Sequence, residues 1–104
     1  MRNKWRVPTI NELQNAFNRK NRNSKNNGFI SDYYWSSNIN VDFEDNAWVI
    51  NFHNGDIDSH HKLKMHYVRC IYKNSNCEVE WSEFSKNKMT WEDAHEYCKE
   101  MNDE

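Results

Sequence analysis

Five histidines, three cysteines and a scatter of carboxylates are the residues of this 104-residue chain whose types suit chemistry. A zinc centre needs three or four nitrogen or sulfur ligands converging on one ion. His53 and His60 fall on one face of an expected hairpin, with Asp56 and Asp58 between them. They are not a cross-strand pair, so that face does not bring both rings to one ion. His60 and His61 are adjacent and point to opposite faces. The sequence has neither His-x-x-x-His at helical spacing nor paired Cys-x-x-Cys motifs. Asp42, Glu44 and Asp45 offer oxygens to a hard cation, and a solvated acidic loop is the plainer reading of the same three residues. Cys77 is expected inward, beside Glu78, where nothing favours a reactive thiolate. Two glycines in the whole chain exclude a phosphate-cradling glycine loop. These residues therefore predict no enzyme, no metal and no cofactor.

Surface recognition remains. Arg19, Lys20, Arg22 and Lys25 form a basic stretch suited to sulfated glycans or another polyanion, without calcium. Tyr33, Tyr34 and Trp35 suit stacking on sugar rings; Trp35 reads as core, and Tyr33 is the one expected at the surface. The candidate ligand-binding set is Arg19, Lys20, Arg22, Lys25 and Tyr33, with His53, Asp56, Asp58 and His60 on the polar hairpin face.

Several elements must position these residues. Thr9 and Glu12 make a T-x-x-E capping box after Pro8. Ile10, Leu13, Ala16 and Phe17 then share one helical face, and the helix is expected to end near Phe17 or Asn18. Residues 18–27 read as a polar, basic loop closed by Gly28. Residues 33–37 read as a short aromatic strand. Residues 46–62 read as a hairpin about a two-residue Asn54-Gly55 turn, with Phe52 facing Ile57 and His53 facing Asp56. One hairpin face then carries Trp48, Ile50, Phe52 and Ile57 as core, and the other is wet. Residues 66–72 form a strand with Val68, Cys70 and Tyr72 on one side. Residues 77–81 alternate as a half-buried strand with Cys77, Val79 and Trp81 inward. Thr90 caps a last helix whose apolar stripe is Trp91, Ala94, Cys98 and Met101. Helix, strands and helix in this order predict an α+β domain with antiparallel pairing.

Composition narrows the classes further. The length suits one domain, residues 1–104, with a small core. A net charge of −2 gives no steering toward nucleic acid. Mean hydropathy of −1.19 suggests disorder, but an aromatic content of 14% argues for a packed fold. No run of 18 apolar residues predicts membrane insertion, and no signal-peptide core opens the sequence.

Five blocks carry a resemblance: Trp5-Arg6-Val7-Pro8-Thr9-Ile10-Asn11-Glu12-Leu13, Tyr34-Trp35-Ser36-Ser37, residues 46–55, Tyr67-Val68-Arg69-Cys70-Ile71, and Met89-Thr90-Trp91-Glu92-Asp93-Ala94-His95-Glu96-Tyr97-Cys98. Together they resemble the Lcl C-terminal domain family, a domain of unknown function similar to the C-type lectin fold. In that family the last block precedes the first. The chain thus reads as a circularly permuted unit, or as a slice across two tandem repeats, with two helices packed on a small twisted antiparallel sheet. About ten residues would join the blocks if the ends were connected. The resemblance implies a Cys70–Cys98 disulfide worth about 3 kcal/mol. Pairing of Cys77 with Cys98, or three reduced thiols, are the alternatives. Trp5 and Arg6 are expected to be structural, an aromatic anchor and a stacked or paired guanidinium. The calcium-ligand triplets of many C-type lectins and the reactive cysteine arrangement of formylglycine-generating enzymes are not recognisable. The resemblance also implies an extracellular, cell-surface or periplasmic setting and a glycan or protein ligand. A ligand-display scaffold of the diversity-generating-retroelement type, or a unit that self-assembles by exchanging its terminal helix, are the rival functions.

Overall fold

The computed structural model describes residues 4–23 and 29–103, including all their side chains except those of 19–23. The order is α1 (Ile10–Asn23), β1 (Tyr33–Ile39), β2 (Asn46–Asn51), β3 (Ile57–His61), β4 (Arg69–Lys73), β5 (Val79–Phe84) and α2 (Trp91–Glu100), closed by a 3-10 turn at Met101–Asp103. β1, β2 and β3 form one antiparallel sheet in sequence order, and β4 and β5 form a second. A bridge between Tyr34 and Tyr67 links the first sheet to the segment entering β4, where the Trp35 N–H donates to the Tyr67 carbonyl at 3.0 Å. The segment before α1 adds to β4, as Arg6 and Ile71 exchange backbone bonds at 3.0 and 2.9 Å. The fold is the expected α+β domain of two helices and antiparallel strands, with its sheet divided in two.

The capping box forms reciprocally. The Glu12 N–H donates to Thr9 Oγ1 at 3.2 Å, and the Thr9 N–H donates to Glu12 Oε1 at 2.8 Å. Arg6 adds a two-pronged pair to the same carboxylate, at 2.9 and 2.7 Å. That pairing holds Glu12 below the usual carboxylate range, chiefly through the Arg6 hydrogen bond. α1 does not stop at Asn18; it runs to Asn23. No glycine or proline interrupts residues 9–23, and Arg19, Lys20 and Arg22 are good helix formers, so polarity alone does not end the helix.

β1 and β2 are buried on both faces, which corrects the expected wet face, while β3 lies at the exposed edge and leaves Ile57, expected in the core, exposed. Tyr34 and Ile50 pack with Leu13, Ala16, Phe29 and Phe52 on the α1 side. Trp35, Ala47 and Val49 pack with Val7, Val68, Cys70, Ala94 and Cys98 on the α2 side. Ala47 and Val49 share their face with Asp58 and His60, since Ala47 pairs with His60 and Val49 with Asp58. The hairpin register also differs by two residues from the expected one. Ile50, not Phe52, faces Ile57, and residues 52–55 are a four-residue loop between Asn51 and Asp56. The wider loop lets Phe52 leave the ladder and stack on Phe29, with ring centroids 4.0 Å apart. Only Gly55 of the Asn54-Gly55 pair has positive φ, +83°, and a Cβ there would come within 2.6 Å of the Phe17 ring.

Cys70 and Cys98 are disulfide-bonded, with Cα atoms 5.6 Å apart. Cys77 is exposed, not inward. It sits at φ +64° in the turn before β5, where its N–H donates to the Asn74 carbonyl. β5 therefore begins only at Val79, itself exposed, and Trp81 is the covered residue of that stretch. The first and last described stretches adjoin: the Trp5 N–H donates to Asn102 Oδ1 at 2.8 Å, and Asn102 Nδ2 donates to the Trp5 carbonyl at 3.1 Å.

Candidate functional site

One end of the three-stranded sheet carries more exposed apolar surface than folding requires. The loop between β1 and β2 displays Val41 and Phe43, exposed to 83% and 67%, and the segment after β3 displays Leu63 at 73%. Backbone contacts bring the two together, since Asn46 pairs with His61 and the Lys62 N–H donates to the Asp45 carbonyl at 2.9 Å. The first loop is built rigidly from asparagine chemistry. Asn40 Oδ1 accepts from the Asp42 N–H at 3.0 Å, while Asn40 and Asn46 both donate to Ser59 Oγ at 3.0 and 3.1 Å. Backbone bonds from Phe43 to Asn40 and from Asn46 to Phe43 complete it. Val41 and Phe43 are thus held in water by a fixed scaffold.

Carboxylates outnumber cations at this apolar end, where Lys62 and Lys64 lie on the second loop. Asp42, Glu44 and Asp45 are exposed between and beside Val41 and Phe43. The α2 N-terminus joins the same end through the Trp91 N–H to the Lys62 carbonyl, and Glu92 and Asp93 lie in its first turn. Lys62 is folded back over the Trp91 ring, 4.6 Å from its centroid. Asp42, Glu44 and Asp45 do not form a metal cage, and no such cluster occurs among the described residues.

Behind the second loop lies a cluster that the sequence reading missed. His60 Nδ1 is 2.8 Å from His66 Nε2, and His60 Nε2 is 3.2 Å from Asp58. The Tyr33 ring packs on both imidazoles, and the Trp35 ring meets His66 edge-on. His66 is buried, and burial together with the neighbouring His60 pushes its pKa down to about 4. The signal was strand parity: His66 shares its side of the chain with Val68 and Cys70.

The structure disperses the rest of the expected set. His53 and Asp56 are exposed in and beside the hairpin loop, away from the His60–His66 pair, and Asp58 is exposed at its rim. Tyr33, expected at the surface, is half-buried against the two histidines. Arg19, Lys20 and Arg22 fall on the last turns of α1, their side chains outside the described residues, and Lys25 is wholly outside them.

The sequence model of the Lcl C-terminal domain matches residues 1–72, over two thirds of the chain. The chain belongs to the Lcl C-terminal domain family. That match takes in α1, the three-stranded sheet and most of β4, and so contains both loops of the apolar end. The helix α2 lies beyond the Lcl C-terminal domain match, yet it is tied to it by the Cys70–Cys98 bond. No curated protein and no solved structure matches the chain.

Proposed function

We propose that this Lcl C-terminal domain is a non-enzymatic recognition module that docks a basic, apolar segment of a partner protein on the end formed by residues 40–45 and 62–65. The observation that carries this reading is the fixed exposure of Val41, Phe43 and Leu63 on two loops tied together by backbone hydrogen bonds. Exposed apolar residues grouped at one place mark contact surfaces more often than scattered ones do. Asp42, Glu44, Asp45, Glu92 and Asp93 outnumber Lys62 and Lys64 at this end, which favours a cationic partner over a sulfated glycan. A glycan reading rests on Arg19, Lys20, Arg22 and Lys25, which are remote in sequence from both loops. On this reading α2 is the family's first helix carried at the other end of the chain. The adjoining Trp5 and Asn102 and the Cys70–Cys98 bond support that permuted order.

The test is a selection of displayed random peptides against the purified domain, run beside a sulfated-glycan panel with and without chelator. Selected peptides are expected to combine Arg or Lys with Leu, Phe or Trp. The triple variant Val41→Ser, Phe43→Ser, Leu63→Ser is expected to weaken them at least about tenfold, as loss of central apolar anchors does. Retained peptide affinity in the triple variant, or binding confined to sulfated glycans, rejects this surface.

A further inference from the structure

The segment that lifts Leu63 into water is short and closed at its base by two rings. His60 stands next to the last residue of β3, His66 begins the return, and their facing nitrogens lie 2.8 Å apart. Inside this closure the Leu63 N–H donates to His61 Nδ1 at 3.1 Å and the Lys64 N–H to the His61 carbonyl at 2.9 Å. His66 also exchanges backbone bonds with Met89 at 3.0 and 2.8 Å. We infer that the His60–His66 ring-to-ring hydrogen bond is an acid-released latch on residues 62–65. This rests on the recognition surface proposed above, whose second loop it would regulate.

The proton count decides when the latch opens. With both rings neutral, one facing nitrogen carries hydrogen and the other a lone pair, so the bond forms. A first added proton still leaves one lone pair between them, and the bond survives. A second proton places N–H against N–H and two cations side by side, so the bond is lost. Burial of His66 and the neighbouring His60 favour that opening at low pH, and the charged groups facing the pair act in both directions. Lys64 on the same loop and Lys88 beside it oppose a cation at His66. Asp32, which favours one, is engaged by Lys88 at 3.1 Å, and Asp58 faces the far nitrogen of His60. Tyr33 contributes only its ring. His66 binds its proton more weakly when folded than when unfolded. The closed loop is therefore favoured above about 6.5, and that advantage is lost as pH falls toward about 4.

The test is amide hydrogen exchange on the whole chain at pH 7 and pH 4, corrected for the intrinsic rate, with Val49 and Ile50 in β2 as internal reference. Protection at Lys62, Lys64 and His66 is expected to fall at least about tenfold at pH 4 while the reference holds, the pattern of a local opening. His66→Gln offers an amide oxygen that accepts from protonated His60 and does not titrate, so its loop should stay protected at pH 4. Ring-nitrogen chemical shifts of the unaltered chain give a second readout, because loss of protection must track the second protonation of the pair. Equal loop protection at both pH values overturns the latch. Loss of the loop together with the reference, or equal loss in the Gln variant, overturns it as well. No partner is used, so failure here is separate from failure of the docking surface.

Discussion

The two faces of the three-stranded sheet hold their helices by different means. The α1 face is aromatic: Phe29 stacks on Phe52 within 3° of parallel, and Tyr34, Phe17 and Trp81 meet that pair edge-on. The Arg69 guanidinium lies over the outer side of this group, 4.6 Å from the Phe29 ring centroid. The fully buried part of the α2 face is built largely from small residues, Ala47, Val49, Val68 and Ala94, around the Trp35 ring, with Trp5, Tyr33, Trp91 and Tyr97 half-buried at its margin. Small side chains let α2 approach closely, and the Cys70–Cys98 bond requires that approach. One face gains its hold from buried area, the other from a covalent tie and from indole hydrogen bonds. Trp35 donates to the Met89 carbonyl at 2.8 Å and Trp91 to the Ser36 carbonyl at 2.9 Å. A domain this small has limited area to bury, so two unlike devices on one sheet give it more hold than a single thin core.

This contrast can be broken from either side. Phe52→Ala removes the stacking partner of Phe29 and opens a void between α1 and the sheet. It should cost about 4 kcal/mol, read as a drop in the urea midpoint with an unchanged slope. Reduction of the disulfide, or Cys98→Ser, should cost about 3 kcal/mol, since the bond spans 28 positions. Its signature should be confined to α2: amides of Trp91–Glu100 lose exchange protection first, while those of α1 keep theirs. Equal loss on both helices would show that the two faces melt as one unit and would remove the comparison. Thr9→Ala deletes one half of the capping box at the α1 start and should cost about 1 kcal/mol by the same denaturation measurement.

Local signals carried much of this in the sequence. The Thr9–Glu12 box, the Thr90 cap and the Trp91–Ala94–Cys98–Met101 stripe each depend on residues three or four apart, and each forms. The Cys70–Cys98 pairing came through family resemblance, because cysteine spacing alone does not choose among three thiols. The hairpin register was not legible. A slip of two residues leaves every side chain on its own face, so alternation cannot distinguish Ile50 from Phe52 opposite Ile57. What decides it is the pull of Phe29, Phe17 and Tyr34 on Phe52, which is tertiary. The second buried face was signalled by Ala47 and Val49, apolar where the hairpin was read as wet. A strand covered on both faces shows such a continuous run. His66 was hidden among five histidines until its parity with Val68 and Cys70 was matched to a covered face. Cys77 escaped because alternation carries no information about a turn at positive φ.

The small contact between Trp5 and Asn102 has a consequence for how such a unit is carried. Two hydrogen bonds place the first and last described stretches of backbone side by side. A host polypeptide can therefore branch into this fold and resume its own course with almost no gap to bridge. Grafted into a surface turn, the unit hangs from its host by a narrow neck, and its insertion adds little loop-closure entropy to the host.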